Sequence, residues 1–129
     1  MLAQEEVRVI VVDDAVDTRE ATAAVLNASG YLTREAADST TALGLIQQWL
    51  PHCVILDIDM PGIDGVELAR HIRANYGGTV TLVALSGFDA FHPRVKTISG
   101  IVDHAMCKPC DFPELLGILE GLRPVRKLA

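Results

Sequence analysis

The chain has 129 residues, half of them hydrophobic and 22% charged, which suits one globular core rather than a disordered segment. A net charge of −6 argues against binding nucleic acid through phosphate contacts. No apolar run approaches the roughly 20 residues that span a bilayer, and the first residues lack the pattern of a signal peptide. The expected chain is soluble and cytoplasmic, with no membrane or nucleic-acid partner.

Apolar runs alternate with amphipathic segments along the chain. Residues 7–12 read as a strand buried on both faces, because polar alternation is nearly absent. Residues 17–28 read as a helix, with Ala21, Ala24, Val25 and Ala28 at helical spacing. A more polar strand at residues 31–36, at a sheet edge, precedes a helix over 38–50 that contains Gly44 and is stopped by Pro51. A third strand covers 53–57 and a third helix about 65–75. The remainder is a strand over 79–85, a short helix near 93–99, a strand near 102–107 and a helix over 112–122. Asp17-x-x-Glu20, Asp64-x-x-Glu67 and Asp111-x-x-Glu114 each match a capping box, which makes Asp64 and Asp111 helix caps before anything else. The basic cluster Arg123, Arg126 and Lys127 reads as a solvated tail.

Five βα units imply a doubly wound parallel sheet with helices on both faces, an α/β fold. In such sheets the site lies beyond the carboxyl ends of the strands, where strand order reverses. In the flavodoxin-like order 2-1-3-4-5, that point falls between strands one and three. Asp13 and Asp14 end the first strand, Asp57 the third, Ser86 the fourth and Lys108 the fifth. Two carboxylates 4 Å apart repel by roughly 4 kcal/mol at an effective dielectric near 20. Either their pKa values rise or a hard cation joins them, and oxygen ligands on loops suit Mg²⁺. Such a site fits phosphoryl transfer to or from a carboxylate, with Lys108 pairing Asp57 or a phosphate on it and Ser86 donating to a phosphoryl oxygen.

Cys53, Cys107 and Cys110 are an odd number of cysteines, against a disulfide framework. Cys107-Lys108-Pro109-Cys110 has the spacing of a dithiol or half of a zinc site. No histidine spacing supplies the missing ligands, so coincidence around Lys108-Pro109 is the simpler reading.

The stretches Val9-Ile10-Val11-Val12-Asp13-Asp14 and Val54-Ile55-Leu56-Asp57-Ile58-Asp59-Met60-Pro61-Gly62-Ile63-Asp64-Gly65 carry a family resemblance. So do Val83-Ala84-Leu85-Ser86-Gly87 and Cys107-Lys108-Pro109. The chain resembles the receiver domain of two-component response regulators over roughly residues 7–122, within a single receiver domain spanning 1–129. The resemblance implies that Asp57 is the phosphoacceptor, supplied by a sensor histidine kinase or a histidine phosphotransfer protein. It implies that Asp13, Asp14, Asp57 and the backbone carbonyl of Asp59 hold Mg²⁺. Ser86 takes the switch position, and Lys108 is the phosphate-pairing lysine, often followed by a cis proline bond. The chain itself would then catalyse only its own phosphorylation and dephosphorylation.

Receivers usually carry an aromatic residue, sometimes His, three positions before that lysine, where this chain has Ala105. His104 belongs to the opposite face of a regular strand unless a bulge re-aims it. Phe88 and Phe91 are candidates for the missing packing, or simple hydrophobic anchors. His104, Ala105, Phe88 and Phe91 therefore mark the expected output surface toward an unknown downstream protein. Asp59 is expected to face the phosphoryl group and tune its lifetime. Only about seven residues follow the receiver, too few for a DNA-binding unit. Two other readings stay open: a degenerate receiver that binds partners without phosphorylation, and a haloacid-dehalogenase-like phosphatase using Asp57-Ile58-Asp59. The phosphatase group carries that motif on its first strand.

Overall fold

The least polar runs of the sequence form the middle of the sheet. In the computed structural model, which describes residues 6–60 and 65–122, β1 (Arg8–Val12) lies beside β3 (Cys53–Asp57). Every residue of β3 is buried, as are the last four of β1. β2 (Leu32–Ala36), β4 (Thr81–Ser86) and β5 (His104–Cys107) complete a parallel sheet in the order β2-β1-β3-β4-β5. This is the doubly wound, flavodoxin-like (βα)5 arrangement expected from the sequence, with polar β2 at an edge.

Five helices cover the two faces: α1 (Val16–Ala28), α2 (Ser39–Trp49), α3 (Gly65–Tyr76), α4 (Pro93–Ser99) and α5 (Phe112–Glu120). Side chains alternate across each strand, so one sheet feeds two cores. Ile10, Val54 and Leu56 pack with Ala42 and Ile46 of α2, Ile72 of α3 and Ile98 of α4. Val9, Val11, Ile55 and Leu85 face the other way, onto Leu26 of α1 and Leu115 and Leu119 of α5. Full burial of each such side chain contributes about 1.5–3 kcal/mol. The two cores fix the sheet from both sides and leave its carboxyl edge open to the loops.

Element ends depart from the sequence expectation where local hydrogen bonding decides. Asp38 and Asp111 cap their helices, accepting from the Thr41 amide at 2.7 Å and the Glu114 amide at 3.1 Å. Asp17 does not cap α1. The helix begins at Val16 with Ala15 at the cap position, leaving Asp17 inside the first turn. Asp13 Oδ1 accepts the Ala15 amide at 2.9 Å instead, so the end of β1 also shapes the start of α1. β4 begins later than expected because Gly77–Thr79 forms a 3₁₀ turn, and β5 begins only at His104. The box at Asp64 and the basic cluster Arg123, Arg126 and Lys127 lie outside the described residues.

Two arginines, Arg8 and Arg73, pin helix ends. Arg8 gives its guanidinium to the carbonyls of Trp49 at 3.1 Å and Leu50 at 2.7 Å, acceptors that α2 cannot satisfy internally. Arg73 reaches from α3 to the carbonyls of Ile101, Gly77 and Val80, and to Asp103 at 2.6 Å. Asp103 in turn accepts the Leu82 amide at 2.8 Å. Burial opposes ionisation of Asp103, but the Leu82 amide and Arg73 outweigh it and hold its carboxyl below the usual range.

The loop after β3 is held close to the start of α3. A Cβ placed on Gly65 would fall 2.7 Å from the Ile58 Cα, a backbone atom that cannot swing aside. Gly65→Ala is therefore expected to destabilise the chain by about 1–3 kcal/mol, despite alanine's better helix propensity. Urea unfolding measures this, and an unchanged or raised midpoint would contradict the close approach.

Candidate functional site

β1 and β3 are neighbours at the reversal of strand order, so the acids that end them meet. Asp13 and Asp57 are each only 4% exposed, whereas Asp14 is open to solvent. One carboxylate oxygen from each of Asp13, Asp14 and Asp57 lies within 4.8 Å of the others. From β5, two strands away, Lys108 places Nζ 2.8 Å from Asp57 Oδ2. The Lys108 amide donates to the Ser86 carbonyl at 2.8 Å, which carries the β4–β5 pairing one residue past the strand. The Lys108-Pro109 peptide is cis, as the resemblance led us to expect.

The electrostatics follow from this crowding. Burial raises the Asp13 carboxyl above its ordinary value and the charge of Asp57 adds to the rise, against the opposing Ala15 amide and Lys108. For Lys108, burial disfavours the ammonium. The hydrogen bond and charge of Asp57, with the charges of Asp59 and Asp13, overcome this and leave its pKa raised. Three hard oxygen donors converging around an under-neutralised carboxyl fit a small divalent cation.

Asp59 departs from a simple loop residue. Its Oδ1 accepts from Ser86 Oγ at 3.0 Å, and its Oδ2 accepts the Gly87 amide at 2.6 Å and lies 3.7 Å from Lys108 Nζ. Its own amide donates to Asp57 Oδ1 at 2.9 Å. Ser86 Oγ also accepts the Phe88 amide at 3.0 Å. Ser86, Asp57, Asp59 and Lys108 thus form one connected network.

The residues expected to report on the site are less uniform. β5 pairs with β4 in unbroken register from His104 to Cys107, so no bulge brings His104 into the place of Ala105. Beside Ala105 a cavity of about 100 Å³ opens, lined also by Ile58, Ser86, Phe88 and Ile98. Phe88 covers it only in part: its ring stacks on His92 with centroids 3.9 Å apart and remains half-exposed. Phe91 is 81% exposed and anchors nothing, which corrects the anchor expectation for that residue. It stands on a polar turn in which Asp89 Oδ1 accepts its amide at 2.9 Å.

Sequence reasoning missed Arg94, whose Nη2 donates to the Ile58 carbonyl at 2.8 Å and ties α4 to the peptide between Asp57 and Asp59. An Arg after Pro93 carries no pattern that would have revealed this. Cys107 and Cys110 are unbridged, and burial pushes the Cys110 thiol up, which disfavours a reactive thiolate.

Since Asp13 ionises less readily in the folded chain than in the unfolded one, its ionisation costs stability as pH rises from the ordinary Asp value through the folded one. In chelator-treated buffer, Asp13→Asn is expected to be more stable than wild type at pH 7. The gap should close below about pH 4, where the carboxyl is neutral in both states. Denaturant midpoints across this range check the sign. A wild type more stable than the variant at pH 7 would contradict it.

The profile of the response regulator receiver domain matches residues 9–120. Response regulator MprA of Mycobacterium sp. (strain KMS) is 34% identical over 116 residues, covering 90% of this chain and 50% of that protein. MprA of Mycobacterium tuberculosis (strain ATCC 25177 / H37Ra) is 33% identical over the same length, with the same coverage. The chain spans about half the length of the curated relatives it matches. Response regulator TrrA of Thermotoga maritima, solved in complex with Mg²⁺-BeF, superposes with a TM-score of 0.78 at 30% identity, covering 90% of this chain and 98% of that one. A CheY-like receiver domain protein of Methanospirillum hungatei JF-1 shares the fold, with a TM-score of 0.80 at 24% identity over 92% and 94% of the two chains. The phosphatase reading is set aside, since Asp57 ends β3 rather than a first strand and the matched family is not an enzyme family in the usual sense. The chain belongs to the response regulator receiver domain family.

Proposed function

We propose that Asp57 accepts a phosphoryl group from the phosphohistidine of a sensor histidine kinase or histidine phosphotransfer protein, and that the modified chain signals through a partner-binding surface. The observation that carries this reading is the ion pair of Lys108 Nζ with Asp57 Oδ2, 2.8 Å apart, on a buried carboxylate flanked by Asp13 and Asp14. In the transfer, an Asp57 oxygen bonds to phosphorus while the P–N bond breaks. The electron pair of that bond stays on the imidazole nitrogen. Lys108 then pairs with the phosphoryl oxygens and Ser86 Oγ donates to one of them.

Asp13, Asp14 and Asp57, with the backbone carbonyl of Asp59, would hold Mg²⁺. When bound, it supplies neutralisation of the charge on the phosphoryl oxygens. The Mg²⁺-BeF complex of the 30%-identical TrrA supports this assignment by likeness. A groove of about 460 Å³ opens beside Lys108, between α1 and the Lys108-Pro109-Cys110 loop, with Leu85 in its lining. The output surface comprises Phe88, Phe91, His104 and Ala105. We read residues 1–129 as one cytoplasmic receiver domain; among the described residues no helix is long and apolar enough to cross a membrane.

Incubation with phosphoramidate or acetyl phosphate and Mg²⁺, followed by intact-mass measurement, tests the reading. Wild type is expected to gain one phosphoryl group, Asp57→Ala none, and chelation of the metal should suppress the gain. Equal labelling of Asp57→Ala would move the acceptor elsewhere. No labelling of wild type under any condition would favour a degenerate receiver that binds partners unmodified.

A further inference from the structure

An aspartate two residues past a strand, in a loop, ordinarily has its carboxylate in water. Asp59 instead has a side chain only 22% exposed, with both oxygens engaged. Ser86 Oγ and the Gly87 amide donate to it at 3.0 and 2.6 Å, and Lys108 Nζ lies 3.7 Å away. These three donors come from the ends of β4 and β5 and converge on the space beside Asp57. They are the donors that an anionic group attached to Asp57 would require, and the Asp59 carboxylate already holds two of them, with Lys108 shared with Asp57. Glycine at 87 does not force the contact, because a Cβ there would sit 3.5 Å from Asp59 Oδ2, an ordinary packing distance. The contact follows from charge and hydrogen bonding, in which bonds to an ionised acceptor are the short, strong ones.

We propose that the Asp59 carboxylate is a resident competitor for the phosphoryl site of Asp57, holding Ser86 and the Gly87 amide and facing Lys108 until an added anion displaces it. The proposal rests on Asp57 being the phosphoacceptor. A phosphoryl group brings nearly two negative charges to a cradle that already holds one, so Asp59 must swing out for the modified form to use the same donors. Asp59 is thus a positioning residue. It keeps Ser86 drawn toward the site in the unmodified chain and lowers the affinity of that site for anions. Asp59→Asn keeps the side chain's size and one acceptor oxygen but removes the charge, whereas Asp59→Ala empties the cradle and leaves the backbone carbonyl in place.

Beryllofluoride titration with Mg²⁺ and the rate of labelling by phosphoramidate, measured on wild type and both variants, test the proposal. Asp59→Ala is expected to bind beryllofluoride and to be labelled about tenfold better than wild type, the equivalent of one hydrogen bond to a charged group. Asp59→Asn should fall between them. Without any phosphodonor, the Gly87 amide proton should move upfield and lose hydrogen-exchange protection in Asp59→Ala. Equal affinities and rates in all three proteins, or weaker binding by the variants, would overturn the competitor role while leaving the phosphoacceptor reading intact. An unmoved Gly87 amide would overturn it as well. Failure of all three proteins to take up either probe would refute the phosphoacceptor reading and the competitor role with it. A Gly87 shift would then report only a structural contact.

Discussion

The ion pair between Lys108 and Asp57 joins the ends of two strands that are not neighbours, and the site is organised across that gap. β4 lies between β3 and β5, so the pair can form only if the three strands are in register and the chain turns directly after each. The register places Asp57 opposite Leu85 and Ser86 opposite Cys107, which brings Lys108 one residue past the paired region. Two cores pressing on opposite faces hold that register. A slip of one residue would exchange the faces of β5 and turn Lys108 away.

The pair also determines how the remaining charges behave. Lys108 brings one positive charge to three carboxylates, those of Asp57, Asp59 and Asp13, and it lies closest to Asp57. Asp13 is left under-neutralised, with its carboxyl raised by burial and by Asp57. That shortage of positive charge is what a cation among Asp13, Asp14 and Asp57 would relieve. On the other side of Asp57, Asp59 finds partners in Ser86 and Gly87. The site therefore has a side short of positive charge and a side where donors are already occupied.

The fold was legible because each central strand is an unbroken apolar run closed by a charged or polar residue, and such runs have few other uses. Asp13, Asp57, Ser86 and Lys108 could be placed because strand ends in a doubly wound sheet share one edge. What stayed illegible depends on side-chain direction and backbone acceptors, which carry no spacing. The Asp17-x-x-Glu20 pattern looked like a cap, but α1 starts one residue earlier and Asp13 takes the free amide. Arg94 and Arg73 reach backbone carbonyls, and a carbonyl leaves no mark on the sequence. Asp59 was recognised as facing the site, but its grip on Ser86 and Gly87 depends on loop geometry. Ala105 stands where receivers usually carry an aromatic; a small cavity opens beside it, and Phe88 stacks on His92 rather than filling it.

The central claim is that the reactive group is the side chain of Asp57, and chemical trapping tests it most directly. An acyl phosphate on a carboxylate is reduced by borohydride to an alcohol, so a phosphorylated aspartate becomes homoserine. Treatment of the Mg²⁺- and phosphoramidate-incubated chain with borohydride, followed by peptide sequencing, should find homoserine at position 57. Homoserine at position 13, 14 or 59, or at no position in a chain that had gained phosphoryl mass, would contradict the account.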